Sequence, residues 1–198
     1  MLVLGLTGSI GMGKSVTAGM AEAAGIPVHS ADAAVHRLYA GPLAASIEAL
    51  FPGTVRDGVV DREALATRVL GDVAAMHALE ALVHPAVRAE ETAFLATCRD
   101  RGEKLVILDV PLLFEAGRAG DVDKILVVSA PAELQRERVL ARPGMTAEKF
   151  AAILARQMPD AEKRQRADFV LDTSRGLAAA NADLSLIIAK LLGNEISL

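Results

Sequence analysis

Leu2-Val3-Leu4-Gly5-Leu6-Thr7-Gly8-Ser9-Ile10-Gly11-Met12-Gly13-Lys14-Ser15-Val16 decides the fold of this 198-residue chain. Residues 2–6 form a short apolar run with the composition of a buried parallel strand. Gly8-Ser9-Ile10-Gly11-Met12-Gly13-Lys14-Ser15 then satisfies G-x-x-x-x-G-K-[ST] at every fixed position. A helical pattern follows, with Val16 and Met20 on one side and a stop near Gly25. Strand, glycine loop and helix are the context this motif requires. Glycines let successive backbone N–H groups curl into one cavity. The helix adds its unpaired first amides and the positive end of its dipole. Lys14 is placed to reach the β- and γ-phosphates, and Ser15 to offer its hydroxyl to Mg²⁺. The competing dinucleotide fingerprint, started at Gly11 and Gly13, needs Gly or Ala at position 16 and meets Val16.

The composition narrows the class. Hydrophobic residues make up 52% of the chain and aromatics only 3%, which suits helices packed around a Val/Ile/Leu sheet. No stretch near membrane-spanning length is uninterruptedly apolar, and the start carries no charged leader, so the expected location is cytoplasmic. The one cysteine, Cys98, rules out an internal disulfide and a cysteine-cluster metal site, and reads as an ordinary helix residue. A net charge of −4 argues against a general nucleic-acid binder. Residues 136–166 nonetheless hold 8 basic against 4 acidic side chains, so a basic segment sits in an otherwise acidic protein. It is either a local anion site or a solvated helical surface.

Residues 26–29 read as a second strand ended by Ser30-Ala31-Asp32, with a helix through Val35, Leu38 and Tyr39. Asp32 at that strand end is either a base facing the ligand edge of the sheet or a helix cap. Helices are expected over residues 43–50, from Asp61 to about Leu70, and over 73–98 with an interruption at His84-Pro85. Asp57-Gly58 between Val55 and Val59 suggests a tight turn. Residues 32–98 thus look like a helical insertion beside the core, suited to gripping a second substrate. His84 is equally a capping or core histidine and a functional one.

Residues 105–108 form the third strand, and Asp109 at its end resembles the acid of a Walker B strand, which supports Mg²⁺. The run Val110-Pro111-Leu112-Leu113-Phe114-Glu115 is too apolar for an ordinary surface loop, and forms either a ligand wall or core. Glu115 is a substrate-bonding carboxylate or a helix-start acid. The fourth strand covers 125–128, followed by a helix carrying Arg136, Arg138 and Arg142. Pro143-Gly144 ends it, and Thr146 caps a further helix leading to Arg156-Gln157. Helix, hinge and helix with arginines on both sides read as a lid over phosphates, with Arg142 and Arg156 as the clamps. The fifth strand is 169–171. Leu177, Ala180, Leu184, Ile187, Ile188 and Leu191 lie at helical spacing in a final core helix, and residues 193–198 read as a frayed tail.

In this order the segments resemble the dephospho-CoA kinase family over nearly the whole chain. Ser30-Ala31-Asp32 stands for its Asp-Ala-Asp with the first acid lost. His84-Pro85 and Asp109-Val110-Pro111-Leu112-Leu113-Phe114-Glu115 look like its two internal signatures. Ala141-Arg142, Arg156-Gln157-Met158 and Ala167-Asp168-Phe169-Val170-Leu171-Asp172 complete the series. Thr173 stands where an asparagine is usual, near the expected adenine pocket. The resemblance implies an α/β P-loop fold with a five-stranded parallel sheet. Its kinase core would span 1–31 and 99–198, with a lid at about 142–160, and its helical CoA-binding subdomain 32–98. It implies Mg²⁺ with ATP as phosphoryl donor, and transfer to the ribose 3′-hydroxyl of dephospho-CoA. Asp32, Lys14 and Arg142 would be catalytic. ATP would be bound by Gly11, Met12, Gly13, Lys14, Ser15, Val16, Arg142 and Thr173. The acceptor would meet Thr7, Asp32, His84, Pro111, Leu112, Leu113, Glu115 and Arg156, and the metal Ser15 and Asp109. The partners implied are ATP and dephospho-CoA, with weak self-association allowed and neither nucleic acid nor membrane.

The nearest rival is a P-loop kinase for a nucleoside monophosphate or similar acceptor, although the long insertion favours a bulkier one. A GTPase-type switch needs an Asn-Lys-x-Asp-like guanine reader, and neither Asn181 nor Asn194 precedes Lys. The chain is short for a transport or motor ATPase, and a structural role leaves the loop and the arginines without a purpose.

Overall fold

The structure is a computed structural model that describes residues 1–193. The frayed tail expected over 193–198 lies outside the described residues beyond Gly193. The chain divides into two compact units, residues 1–29 with 98–198, and residues 30–97.

The first unit is built on a five-stranded sheet. β1 (Leu2–Thr7) is followed by the glycine loop and α1 (Lys14–Ala23), then β2 (Val28–Ser30). After the second unit come β5 (Leu105–Asp109), β6 (Lys124–Ser129) and β7 (Phe169–Asp172). The sheet order is β2-β5-β1-β6-β7. β1 pairs in parallel with β5 through Leu4↔Ile107 and Leu6↔Asp109, and with β6 through Leu6↔Leu126. β6 and β7 are parallel as well. A parallel sheet covered by helices buries both faces: Leu4, Leu6, Ile107 and Leu126 on one and Val106, Leu108 and Val127 on the other are all inaccessible or nearly so. Because β1 has later strands on both sides, the chain crosses in opposite directions from it. The loop after β1 therefore opens at the switch point where α/β sheets bind ligands.

Ala18 and Ala21 of α1 join these strands in one core with Leu184 and Ile188 of α9 (Leu177–Leu191). Leu177 departs from the core role its spacing suggests: it is 69% exposed at the first position of α9. Between β6 and β7 run α6 (Ala132–Leu140), α7 (Ala147–Leu154) and α8 (Asp160–Gln165). Thr146 caps α7 by accepting the Lys149 N–H at 3.2 Å. α6 ends at Leu140, so Arg142 lies in the turn beyond it and not on the helix face that four-residue spacing from Arg138 suggested.

The second unit contains α2 (Ala31–Tyr39), α3 (Ala44–Leu50), a hairpin of β3 (Val55–Arg56) and β4 (Val59–Val60), α4 (Arg62–Val69) and most of α5 (Val73–Asp100). Asp57 and Gly58 both take positive φ, 51° and 78°, as a two-residue hairpin turn requires. Asp61 caps α4 by accepting the Glu63 and Ala64 N–H groups. Ala34, Leu38, Ile47, Leu65 and Val83 form the centre of a separate core. α5 corrects the expected break at His84-Pro85, since it runs through as a single helix of 28 residues with Pro85 inside. His84 and Pro85 both face solvent, while Val83 and Val87 face the core. The carbonyl that Pro85 deprives of a donor therefore lies on the hydrated side, where water can satisfy it. Cys98 near the end of α5 is buried, and burial pushes its thiol up.

Candidate active site

The glycines of the loop have no room for a side chain. A Cβ on Gly8 would lie 2.4 Å from a Val128 methyl and 2.8 Å from the Val128 carbonyl oxygen. Gly11 and Gly13 adopt φ of 79° and 95°, in the left-handed region where a side chain is strained. Gly13 caps α1 with no side-chain hydrogen bond, so the first amides of the helix stay open to a ligand.

Flanking side chains hold the loop in this shape. Gln135 Nε2 donates to the Ile10 carbonyl at 2.7 Å, and the Ile10 N–H donates to Gln157 Oε1 at 3.1 Å. The Ala130 N–H points at Met12 Sδ at 3.1 Å. Thr173, just beyond β7, donates its hydroxyl to the Met12 carbonyl at 2.9 Å. That hydroxyl accepts Arg138 Nη1 at 2.9 Å, while Arg138 Nη2 reaches the Thr173 carbonyl at 2.7 Å. Thr173 and Arg138 thus form a clasp behind the loop. The sequence offered Arg138 only as one more basic residue; nothing in its spacing distinguished a structural arginine from a clamp.

Lys14 points back across the loop mouth to Asp109, with Nζ 2.6 Å from Oδ1. Both are largely buried, and Leu6↔Asp109 register puts the carboxylate level with the end of β1. The Ser15 hydroxyl is exposed in the first turn of α1. A single carboxylate and one hydroxyl are hard oxygen donors that suit Mg²⁺, which usually takes one or two protein oxygens and completes its shell from phosphates and water. Asp109 already faces a cation in Lys14. Among the described residues no three His, Cys, Asp or Glu side chains cluster as a metal cage.

Beside the loop opens a cavity of about 330 Å³. Gly13 and Val16 form one edge, Thr173, Gly176 and Leu177 another, and Arg138 and Arg142 a third. The structure therefore brings together Gly11, Gly13, Val16, Arg142 and Thr173 of the expected ATP set, and adds Leu177, Met20 and Arg138. Helical periodicity alone could not show that Leu177, in the first turn, is left bare by the core.

The segment after β5 is mostly core. Val110, Leu113 and Phe114 are buried, Leu113 completely, while Leu112 is 42% exposed. Thr7 donates its hydroxyl to the Pro111 carbonyl at 3.1 Å, fixing this segment to the end of β1. Glu115 is engaged within the protein. Its Oε1 accepts the Met158 N–H at 2.8 Å and lies 2.8 Å from Nζ of the fully buried Lys163. Burial alone would push the Glu115 carboxyl up; Lys163 and the Met158 N–H outweigh it and hold the carboxyl below the usual range. With Gln157 on Ile10 and Ser129 Oγ on Asp160 at 2.8 Å, residues 157–163 are pinned to the loop and the sheet. Arg142 and Arg156, before and after α7, are exposed. In the second unit, Ser30 caps α2 by accepting the Ala33 N–H at 3.3 Å. Asp32 is exposed in the first turn of that helix, two residues beyond the end of β2 where the sequence put it, and His84 is exposed on α5.

A parallel sheet with a G-x-x-x-x-G-K-[ST] loop leaving its central strand, and a strand-end aspartate opposite the lysine, defines a P-loop kinase. The same fold is seen in shikimate kinase from Acinetobacter baumannii, 19% identical over 100% of this chain and 96% of that one, with a TM-score of 0.51. The chain belongs to the dephospho-CoA kinase family, whose match spans residues 2–179. It is 63% identical to dephospho-CoA kinase of Mesorhizobium japonicum over 98% of this chain and 99% of that protein. It is 58% identical to that of Brucella melitensis, over 98% and 96%. The solved dephospho-CoA kinase from Campylobacter jejuni is 25% identical with a TM-score of 0.68, covering 96% of each chain. A solved Thermus thermophilus protein is 38% identical with a TM-score of 0.84 over 96% of this chain and 97% of that one. No helix among the described residues is long and apolar enough to cross a membrane.

Proposed function

We propose that this chain transfers the γ-phosphoryl group of ATP to the ribose 3′-hydroxyl of dephospho-CoA, giving CoA and ADP as the last step of CoA synthesis. The observation that carries the reading is the Lys14–Asp109 pair at the mouth of an uncapped α1, beside a cavity large enough for a nucleotide base. The loop amides and Lys14 bind the β- and γ-phosphates, and Lys14 exchanges its hold on Asp109 for phosphate oxygens. Asp109 and Ser15 would hold Mg²⁺, which would supply neutralisation of the charge developing on the phosphoryl oxygens. Arg142, exposed at the cavity edge, stabilises the same charge as the lid region, expected over 142–160 and anchored to the loop and the sheet from Gln157 onward, excludes water.

The helical unit takes the acceptor. Asp32 accepts the proton of the 3′-hydroxyl, and its exposure beside the end of β2 is compatible with that role. His84, Leu112 and Arg156 carry exposed side chains suited to contact with dephospho-CoA. Thr7, Pro111, Leu113 and Glu115 serve the acceptor site by shaping the segment that carries Leu112. Its substrates put the enzyme in the cytoplasm.

The test is direct. Purified protein is mixed with Mg²⁺-ATP and dephospho-CoA, with adenosine monophosphate as a parallel acceptor, and products are followed by mass spectrometry. Equimolar CoA and ADP from dephospho-CoA alone is the expected result. Phosphorylation of the monophosphate instead would keep the P-loop kinase and overturn the acceptor.

A further inference from the structure

One turn along α2 from Asp32, the helical unit holds a cation that no carboxylate pairs with. Asp32 and His36 are both exposed and stand four residues apart. They share the face of α2 opposite Ala34 and Leu38, which are buried in the core of the unit. His36 Nε2 lies 2.8 Å from Nη1 of Arg62, the first residue of α4. A guanidinium only donates, so the imidazole is the acceptor and is neutral.

The fold of the unit puts Arg62 at this place. Asp61 caps α4 by accepting the Glu63 and Ala64 N–H groups, which fixes the backbone on both sides of Arg62. One turn on, Leu65 enters the same core as Leu38 of α2. Burial pushes the Tyr39 phenol up, and the nearby charge of Arg62 opposes that rise, so the guanidinium sits along the last turn of α2. Other arginines of the unit are matched: Arg37 pairs with Glu90 at 2.5 Å and Arg56 with Asp61 at 3.0 Å. Arg62, held by a neutral ring, keeps its whole charge. One hydrogen bond also leaves most of its donor fork facing water.

Dephospho-CoA carries an anion at the matching place. The ribose that presents the 3′-hydroxyl bears a diphosphate on O5′, and only C3′, C4′ and C5′ lie between the two oxygens. That reach compares with one helical turn, about 5.4 Å. A 3′-hydroxyl at Asp32 therefore brings the diphosphate to a guanidinium one turn further on. We infer that Arg62, steadied by His36, anchors the diphosphate of dephospho-CoA while the 3′-hydroxyl lies at Asp32. The inference rests on the acceptor reading given above, with Asp32 as the base. It makes the helical unit select its acceptor by an anion as well as by a hydroxyl, since guanidinium grips phosphate oxygens through paired, charge-assisted bonds.

Steady-state rates of CoA formation are measured for wild type, Arg62→Ala and Arg62→Gln, with dephospho-CoA and ATP varied in turn over a range of KCl, and folding is followed by urea midpoint. Glutamine keeps a donor for His36 Nε2 and drops only the charge. Both variants are expected to raise KM for dephospho-CoA by about ten- to hundredfold, the worth of hydrogen bonds to a charged group, with kcat and KM for ATP unchanged. Their KM for dephospho-CoA should also respond less to KCl than that of wild type, because a phosphate contact has gone. A wild-type KM for dephospho-CoA in Arg62→Gln, or a salt response parallel to that of wild type, overturns the inference and leaves the kinase reading intact. A rise confined to Arg62→Ala, with a lower urea midpoint, would make Arg62 a tie between α2 and α4 and overturn it as well. No CoA from wild type overturns the kinase reading itself.

Discussion

Lys14 and Asp32 carry different parts of the proposed reaction, and their substitutions separate those parts. Lys14→Ala removes a charge that stabilises the transferring phosphoryl group, so turnover falls by about 10²–10³ with the fold retained. Asp32 is exposed and caps nothing, since Ser30 takes that role in α2. Asp32→Asn therefore leaves stability unchanged and lowers kcat with little effect on KM for ATP. Near-normal kcat in a folded sample would remove Asp32 as the base. Glu115 is the opposite case, a carboxylate used for architecture. Its pKa is held below the unfolded value of about 4.3, so it contributes stability that is fully present above that pH and is lost as pH falls through the folded pKa. Glu115→Gln leaves Lys163 buried without its counter-charge. The variant's deficit in urea midpoint is then large at pH 7 and shrinks in acid, where wild-type Glu115 also becomes neutral. A deficit constant with pH would mean that the charge of Glu115 is irrelevant. The two carboxylates look alike in the sequence; only Lys163, 48 positions away and invisible to any local pattern, sets Glu115 apart.

Among the elements, α1 with its loop and α5 differ in how far the chain announces them. Glycine spacing, Lys14 and Ser15 specify the loop locally, because each obeys a constraint imposed by phosphate and by backbone geometry. The hairpin at Asp57-Gly58 and the caps at Asp61 and Thr146 were legible for the same reason. α5 was legible in extent and not in continuity. Proline lowers helix stability only on average, and here the carbonyl it frees faces water. The clasp of Arg138 and Thr173 and the bare first turn of α9 were not legible, since both depend on long-range packing. Pro85 still lacks a donor within a helix interior, which costs about 3 kcal/mol relative to alanine where the strain is unrelieved. Pro85→Ala is expected to raise stability by a part of that amount, seen as a higher urea midpoint at unchanged slope. No gain would mean that the helix has fully absorbed the proline.

At the scale of the whole molecule, net charge and local charge have opposite signs. The chain is −4 overall, yet residues 136–166 carry +4, leaving −8 elsewhere. An anionic nucleotide is thus repelled by most of the protein and drawn to one segment. One charge of that segment is matched from outside it, Lys163 by Glu115; Arg166 pairs with Glu162, already counted in the +4, and Arg138 keeps its charge while bonding Thr173. Arg136, Arg142, Lys149 and Arg156 remain exposed, and of these Arg142 lines the cavity where the attraction would act. Exposed charges are screened over a Debye length of about 10 Å at 0.1 M salt and about 3 Å at 1 M. KM for ATP should therefore rise several-fold as KCl is increased through this range, with kcat changing much less. Arg142→Ala should start from a higher KM and show a flatter salt response, because a screened charge that has been removed cannot be screened further. A KM that rises equally steeply in wild type and Arg142→Ala would assign the attraction to the loop amides and Lys14, and would make the basic stretch around Arg142 a solvated surface.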